Sequence, residues 1–112
     1  MSKKLYIPGP EEIADKWFMI IPNIFYDEFM PVLTPPAWKI LSFFIRQTYG
    51  FKRERYSVGI NRIADGTGLG VRTVSTHIGI LIKSGLLIVT RKSDHRKKIT
   101  REYKLISGSI LI

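Results

Sequence analysis

The chain of 112 residues contains no cysteine. Disulfide frameworks, thiolate zinc sites and cysteine nucleophiles are therefore excluded, and a reducing compartment is favoured. A long apolar run is also missing. The best candidate, 78–89, is broken by Lys83, Ser84 and Gly85, whereas a membrane-crossing helix needs about 20 apolar residues. Behind the basic start Met1-Ser2-Lys3-Lys4 there is no signal-type apolar core with a small-residue cleavage site. These absences point to a cytoplasmic protein without a membrane anchor. The histidines are His77 and His95. Neither has ligand partners at metal spacing, so no metal and no cofactor is expected. Repeats and internal linkers are missing too, and the length suits one compact domain.

Apolar residues make up 45% of the chain and charged residues 24%, enough to build a core without disulfides or metal. What is in excess is positive charge. Eighteen Lys and Arg stand against nine Asp and Glu, for a net charge of +9. A protein this basic usually meets a polyanion, either nucleic acid or an anionic membrane; simple solubility is the bland alternative. The charge is unevenly placed. Residues 11–28 carry five acids (Glu11, Glu12, Asp15, Asp27, Glu28) against Lys16. Residues 46–62 carry five bases against Glu54, and residues 89–104 carry seven (Arg91, Lys92, Arg96, Lys97, Lys98, Arg101, Lys104) against Asp94 and Glu102. The basic segments thus lie downstream of an acidic region.

Residues 1–16 form an arm and 17–112 the domain proper. Pro8-Gly9-Pro10 interrupts regular structure in the arm, and the acids after it suit a short helix over 11–15. The apolar stretch 17–21 is expected to pack on the body. A helical turn over 24–30 would turn Phe25, Phe29 and Met30 inward. A helix over about 35–49 follows. Thr34 is its expected N-cap, Pro35 and Pro36 fit its first turn, and Trp38, Leu41, Ile45 and Tyr49, with Phe44 beside them, recur at helical period. Gly50 ends it. A charged loop, 51–55, leads to a short strand at Tyr56-Ser57-Val58. A second helix spans about 60–66, with Ile60, Ile63 and Ala64 inward. A glycine-rich turn, 66–70, then leads to a third helix over 71–84, closed by Gly85. Residues 86–89 begin a strand, 91–98 form a charged tip and 100–106 alternate as the returning strand.

Helix, short strand, helix, turn, helix, strand, basic loop, strand is the order of an α+β, mainly α fold: a winged helix-turn-helix with a C-terminal β-hairpin wing. Gly68 suits a turn needing positive φ, and Leu69 plugs the space between the helices. On the third helix, Val71, Val74, Ile78, Leu81 and Ile82 fall on the inward side at ~100° per residue. Thr73, Thr76, Ile80 and Lys83 lie opposite, flanked by Arg72 and His77. The N-terminal half of such a helix meets base edges in the major groove. There Arg72 suits guanine, Thr73 and Thr76 offer hydroxyls and a methyl, and His77 reaches a base or phosphate. Lys83 suits a phosphate. The wing residues Arg91, Lys92, Arg96, Lys97 and Lys98, with Lys52, Arg53 and Arg55 of the loop, would lie on the minor groove or on phosphates. The partner is expected to be double-stranded DNA. The bland alternative is a protein-interaction winged helix whose charge is solvated. Gly66, Gly68 and Gly70 lack the rest of a dinucleotide or P-loop fingerprint, and no nucleophile accompanies the acids of the arm. No catalytic residues and no enzyme are expected. The apolar N-terminal segment and the tail Ile110-Leu111-Ile112 are more than a small monomer usually exposes, which suggests a homodimer.

Over 18–88 the chain resembles the N-terminal domain of phage replication initiators of the lambda O type. The resemblance is carried by Ile21-Pro22-Asn23, Trp38-Lys39-Ile40-Leu41, Ile45-Arg46-Gln47-Thr48-Tyr49-Gly50-Phe51, Ile63-Ala64-Asp65-Gly66-Thr67-Gly68-Leu69, Val71-Arg72-Thr73-Val74-Ser75 and Gly85-Leu86-Leu87-Ile88. It implies a dimeric winged helix on inverted repeats at a replication origin. It places Arg72, Thr73, Ser75 and Thr76 at the DNA, and it implies an infected host cell as the setting. Replication proteins would be partners if the chain is part of a longer initiator. A small transcriptional regulator of the same fold is the alternative.

Overall fold

A computed structural model of the chain describes residues 4–12, 18–95 and 98–108; of 93–95 and 98–99 it describes the backbone only. Trp17, Arg96, Lys97, the tail 109–112 and most of the expected arm helix lie outside the described residues. At Pro10 and Glu11 the chain makes a turn, in which the Glu12 N–H donates to the Gly9 carbonyl at 2.9 Å.

Helix α1, Pro35–Thr48, starts as the sequence suggests. Thr34 is extended and Pro35 and Pro36 occupy the first turn, although the Thr34 hydroxyl makes no capping bond. The apolar stripe is wider than expected. Ile40, Leu41, Phe44 and Ile45 are fully buried, whereas Trp38 and Tyr49 only lean against the core. Thr48 is buried as well, and its hydroxyl donates to the Phe44 carbonyl at 2.7 Å, which removes the penalty of an unpaired buried hydroxyl. Before α1, Phe25–Phe29 forms one π-helical turn. Phe25 is buried against the edge of the Tyr49 ring at 5.7 Å, and Phe29 packs on the core. Met30 was expected inward but is 43% exposed; it closes the turn instead, its N–H donating to the Phe25 carbonyl. Ile21 packs on the core while Ile20 is exposed, so only part of the stretch 17–21 fulfils the expected packing.

Strand β1, Arg55–Val58, leads to α2, Ile60–Thr67, and α3, Val71–Lys83. Between the helices, Gly68 takes φ +75° and donates its N–H to the Ala64 carbonyl at 2.9 Å. This is the left-handed helix end that glycine allows at little cost. Ile63 and Ala64 bury the inner face of α2, while Leu69 and Ile60 pack at the core's margin. α3 inserts Val74, Ile78 and Leu81. Val71 was expected inward but is 50% exposed, at the edge of the stripe that Val74, Ile78 and Leu81 bury.

Strands β2, Leu87–His95, and β3, Lys98–Leu105, complete an antiparallel sheet of order β1-β3-β2. Most of the expected charged tip is therefore strand: regular pairing continues to His95 opposite Lys98. Leu87, Tyr103 and Leu105 line the core beneath the sheet. Phe44 and Tyr103 meet with ring centroids 5.1 Å apart, tying α1 to β3. The result is α+β and mainly helical, a helix-turn-helix continued by a β-hairpin.

Candidate nucleic-acid interface

The exposed face of α3 follows from what the helix buries. With Val74, Ile78 and Leu81 inward, the outward stripe is Arg72, Thr76, Gly79 and Lys83, spaced four, three and four residues apart. Ser75 and Ile80 flank it and are also exposed. Thr73 and His77, expected on this face, are half-buried at its edge. The His77 Nδ1 lies 2.8 Å from the Thr73 carbonyl. Since a carbonyl only accepts, Nδ1 carries the proton and Nε2 is left as an acceptor in the neutral ring. No acid occurs between Asp65 and Asp94, so nothing on α3 opposes the charge of Arg72 and Lys83.

The hairpin has a feature that periodicity alone does not disclose. Register shifts between Val89 and Arg91, leaving Thr90 as an extra residue. Its hydroxyl lies 2.8 Å from Oε1 and 3.2 Å from the carbonyl oxygen of Glu102. A bulge of this kind moves every later side chain to the other face. Uninterrupted alternation would place Arg91 on the face of Leu87 and Val89. Instead Arg91 pairs with Glu102 on the outer face, and Lys92 stands opposite Arg101 on the face that continues outward from Tyr103. Like charges placed directly opposite one another are unfavourable in an isolated sheet, and an anion relieves that cost. Burial pushes the Tyr103 phenol above the usual tyrosine range, while the charge and hydrogen bond of Arg101 pull it partly back. Arg101 thus belongs to the basic face although the choice of wing residues by sequence passed over it. Its spacing of two from Tyr103 was the available signal.

The loop before β1 treats its charges differently. Arg53 Nε donates to the Gln47 carbonyl at 2.6 Å, and its NH2 group donates to Gln47 Oε1 at 3.1 Å. Its guanidinium lies 4.4 Å from the centre of the Tyr56 ring and 5.2 Å from that of Phe51, with Arg46 on Phe51 as well. Arg53 closes the end of α1, where carbonyls lack helical donors. Arg55 and Lys104 each stand 4.0 Å from Glu54, pairs too exposed to hold much energy. Lys52 is exposed and adopts φ +54°, a left-handed conformation uncommon outside glycine. Of the expected wing residues, Arg91 and Lys92 are exposed on β2. Lys98 begins β3 by its backbone, and Arg96 and Lys97 fall outside the described residues.

Among the described residues, no cluster of three or more His, Cys, Asp or Glu side chains could hold a metal, and no helix is long and apolar enough to cross a membrane. A helix-turn-helix with an exposed basic helix face and a basic antiparallel hairpin defines a winged-helix protein. Over residues 11–103 the chain matches the family model of bacteriophage replication protein O. It belongs to that family, as the resemblance read from its residues implied, and the family supports a role in initiating phage replication. A search of curated proteins and a search of solved structures each found no match.

Proposed function

We propose that the chain binds double-stranded DNA sequence-specifically at a phage replication origin, without catalysis. The carrying observation is the outward stripe of α3, with Arg72, Thr76 and Lys83 exposed on a helix that has no acid. Placed in the major groove, Arg72 makes a bidentate contact with guanine, and Thr76 and Ser75 meet neighbouring base edges. Thr73 and His77 approach from the side, and Lys83 meets a phosphate. The hairpin supplies sequence-independent attraction through Arg91, Lys92 and Arg101, to which the bases Arg96, Lys97 and Lys98 of the sequence add. Lys52 and Arg55 add to the field from the loop, whereas Arg53, expected to join them, holds the end of α1. On this reading residues 1–16 are an arm to a single DNA-binding domain. Two copies sit on inverted half-sites, and other replication proteins join them.

Binding to random and to selected duplexes across a salt series tests this. A specific binder keeps its preference for the selected duplex as salt rises, whereas a general polyanion binder loses both together. Lys97→Ala is expected to weaken all duplexes alike. Absence of duplex binding at low salt would remove the proposal.

A further inference from the structure

Gly79 has no role in the isolated fold. Gly66, Gly68 and Gly85 each have one, and Gly70, though open, stands outside the helix as the N-cap of α3, where glycine is well tolerated. A Cβ at Gly66 would run into the Phe43 ring, and Gly68 and Gly85 take φ of +75° and +84°. A Cβ at Gly79 would meet nothing within 4 Å, and no positive φ demands its absence. Glycine inside a helix is nonetheless unfavourable relative to alanine. It sits in the middle of the outward stripe, three residues after Thr76 and four before Lys83. Beside it Ile80 is 50% exposed, a large apolar side chain on an otherwise polar face.

We infer that Gly79 is the point where α3 comes closest to the duplex, with Ile80 beside it positioned for apolar contact with a thymine methyl. This rests on the reading that DNA lies against α3. A helix with its side chains is about 10–12 Å across and the major groove about 12 Å wide, so the fit is tight. Removing the side chain at the centre of the contacting stripe lets the helix axis sit deeper. Arg72 and Thr76 then reach base edges that a bulkier residue at 79 would hold them away from. Ile80 fills the adjacent space, where a thymine C5 methyl offers the matching apolar surface. Gly79 is thus a positioning residue for the base contacts.

The test compares wild type, Gly79→Ala and Gly79→Leu in thermal unfolding and in binding to two duplexes, one selected by wild type from a random pool and one of random sequence. Gly79→Ala should raise Tm by about 4 °C, as expected when a helical glycine is replaced in a domain of this size. It should also weaken the selected duplex about tenfold, a loss comparable with one good base contact, and leave the random duplex within about twofold at low salt. Gly79→Leu should weaken the selected duplex further. Unchanged affinity of Gly79→Ala for the selected duplex, in a wild type that keeps its preference, would overturn the inference and leave the DNA reading standing. A lower Tm would give Gly79 a role in the fold, and a changed solution mass without DNA would assign the surface to a protein contact; either outcome overturns the inference. Failure of wild type to bind any duplex would remove the inference together with the DNA reading.

Discussion

The loop 51–55 and the β2–β3 hairpin look alike in sequence, each a cluster of bases with few acids, yet they use their charges in different ways. In the loop, Arg53 is spent on Gln47, Phe51 and Tyr56, and Glu54 is flanked by Arg55 and by Lys104 reaching over from β3. In the hairpin, Thr90 engages Glu102, and the bulge brings Lys92 and Arg101 face to face across the strands. One basic cluster holds a helix end in place, and the other concentrates positive charge where an outside anion can meet it. Local charge density does not separate these fates. What separates them is whether aromatic rings and free helix carbonyls lie within reach of a guanidinium.

The comparison breaks most readily on the hairpin. Replacing Arg91, Lys92 and Arg101 together by Ala is expected to weaken binding to every duplex on the order of a hundredfold, and to flatten the salt dependence by about three phosphate contacts. Denaturant stability should change little, which equilibrium urea unfolding would check. Arg53→Ala should do the reverse. Loss of its hydrogen bonds and ring contacts should cost about 1–2 kcal/mol of stability, with a salt slope close to that of wild type. A steeper effect on the slope than on unfolding would erase the distinction between the two regions.

A smaller effect is expected at alkaline pH, at the seam between core and hairpin. Burial holds the Tyr103 phenol neutral, above the usual tyrosine range. The folded state therefore keeps its proton after the unfolded chain has lost it. The resulting contribution is present below about pH 10, the ordinary tyrosine value, and is lost as pH rises through the folded value. Tyr103→Phe should show a shallower loss of stability than wild type above that pH. Equal slopes in urea titrations at neutral and alkaline pH would show that Tyr103 contributes nothing to it.

Much of the fold was legible because helical period and turn chemistry agree locally. Thr34 with Pro35 and Pro36 marked the start of α1, and Gly68 and Gly85 marked the ends of α2 and α3. What escaped depends on the third dimension. Phe25–Phe29 is wound as a π turn, and Met30 after it is exposed against its apparent period. Val71 falls at the edge of the arc that α3 buries, whose centre is Val74, Ile78 and Leu81, and stays exposed. The Thr90 bulge resets the hairpin register, so simple alternation counted from Leu87 would place later side chains on the wrong face. On the candidate interface, Arg72, Thr76 and Lys83 could be found from the wheel, and they are exposed. Thr73 and His77 sit at the edge because the buried stripe centres on Val74, Ile78 and Leu81.

The central claim is that α3 selects the site while the hairpin supplies general attraction. The most direct measurement is the ratio of affinities for a selected and a random duplex, taken at one salt concentration for wild type, Arg72→Ala and Lys92→Ala. Arg72→Ala should lower the ratio by about tenfold or more, as loss of a bidentate base contact does. Lys92→Ala should lower both affinities and leave the ratio unchanged. Equal loss of the ratio in both variants, or its preservation in Arg72→Ala, would contradict the account.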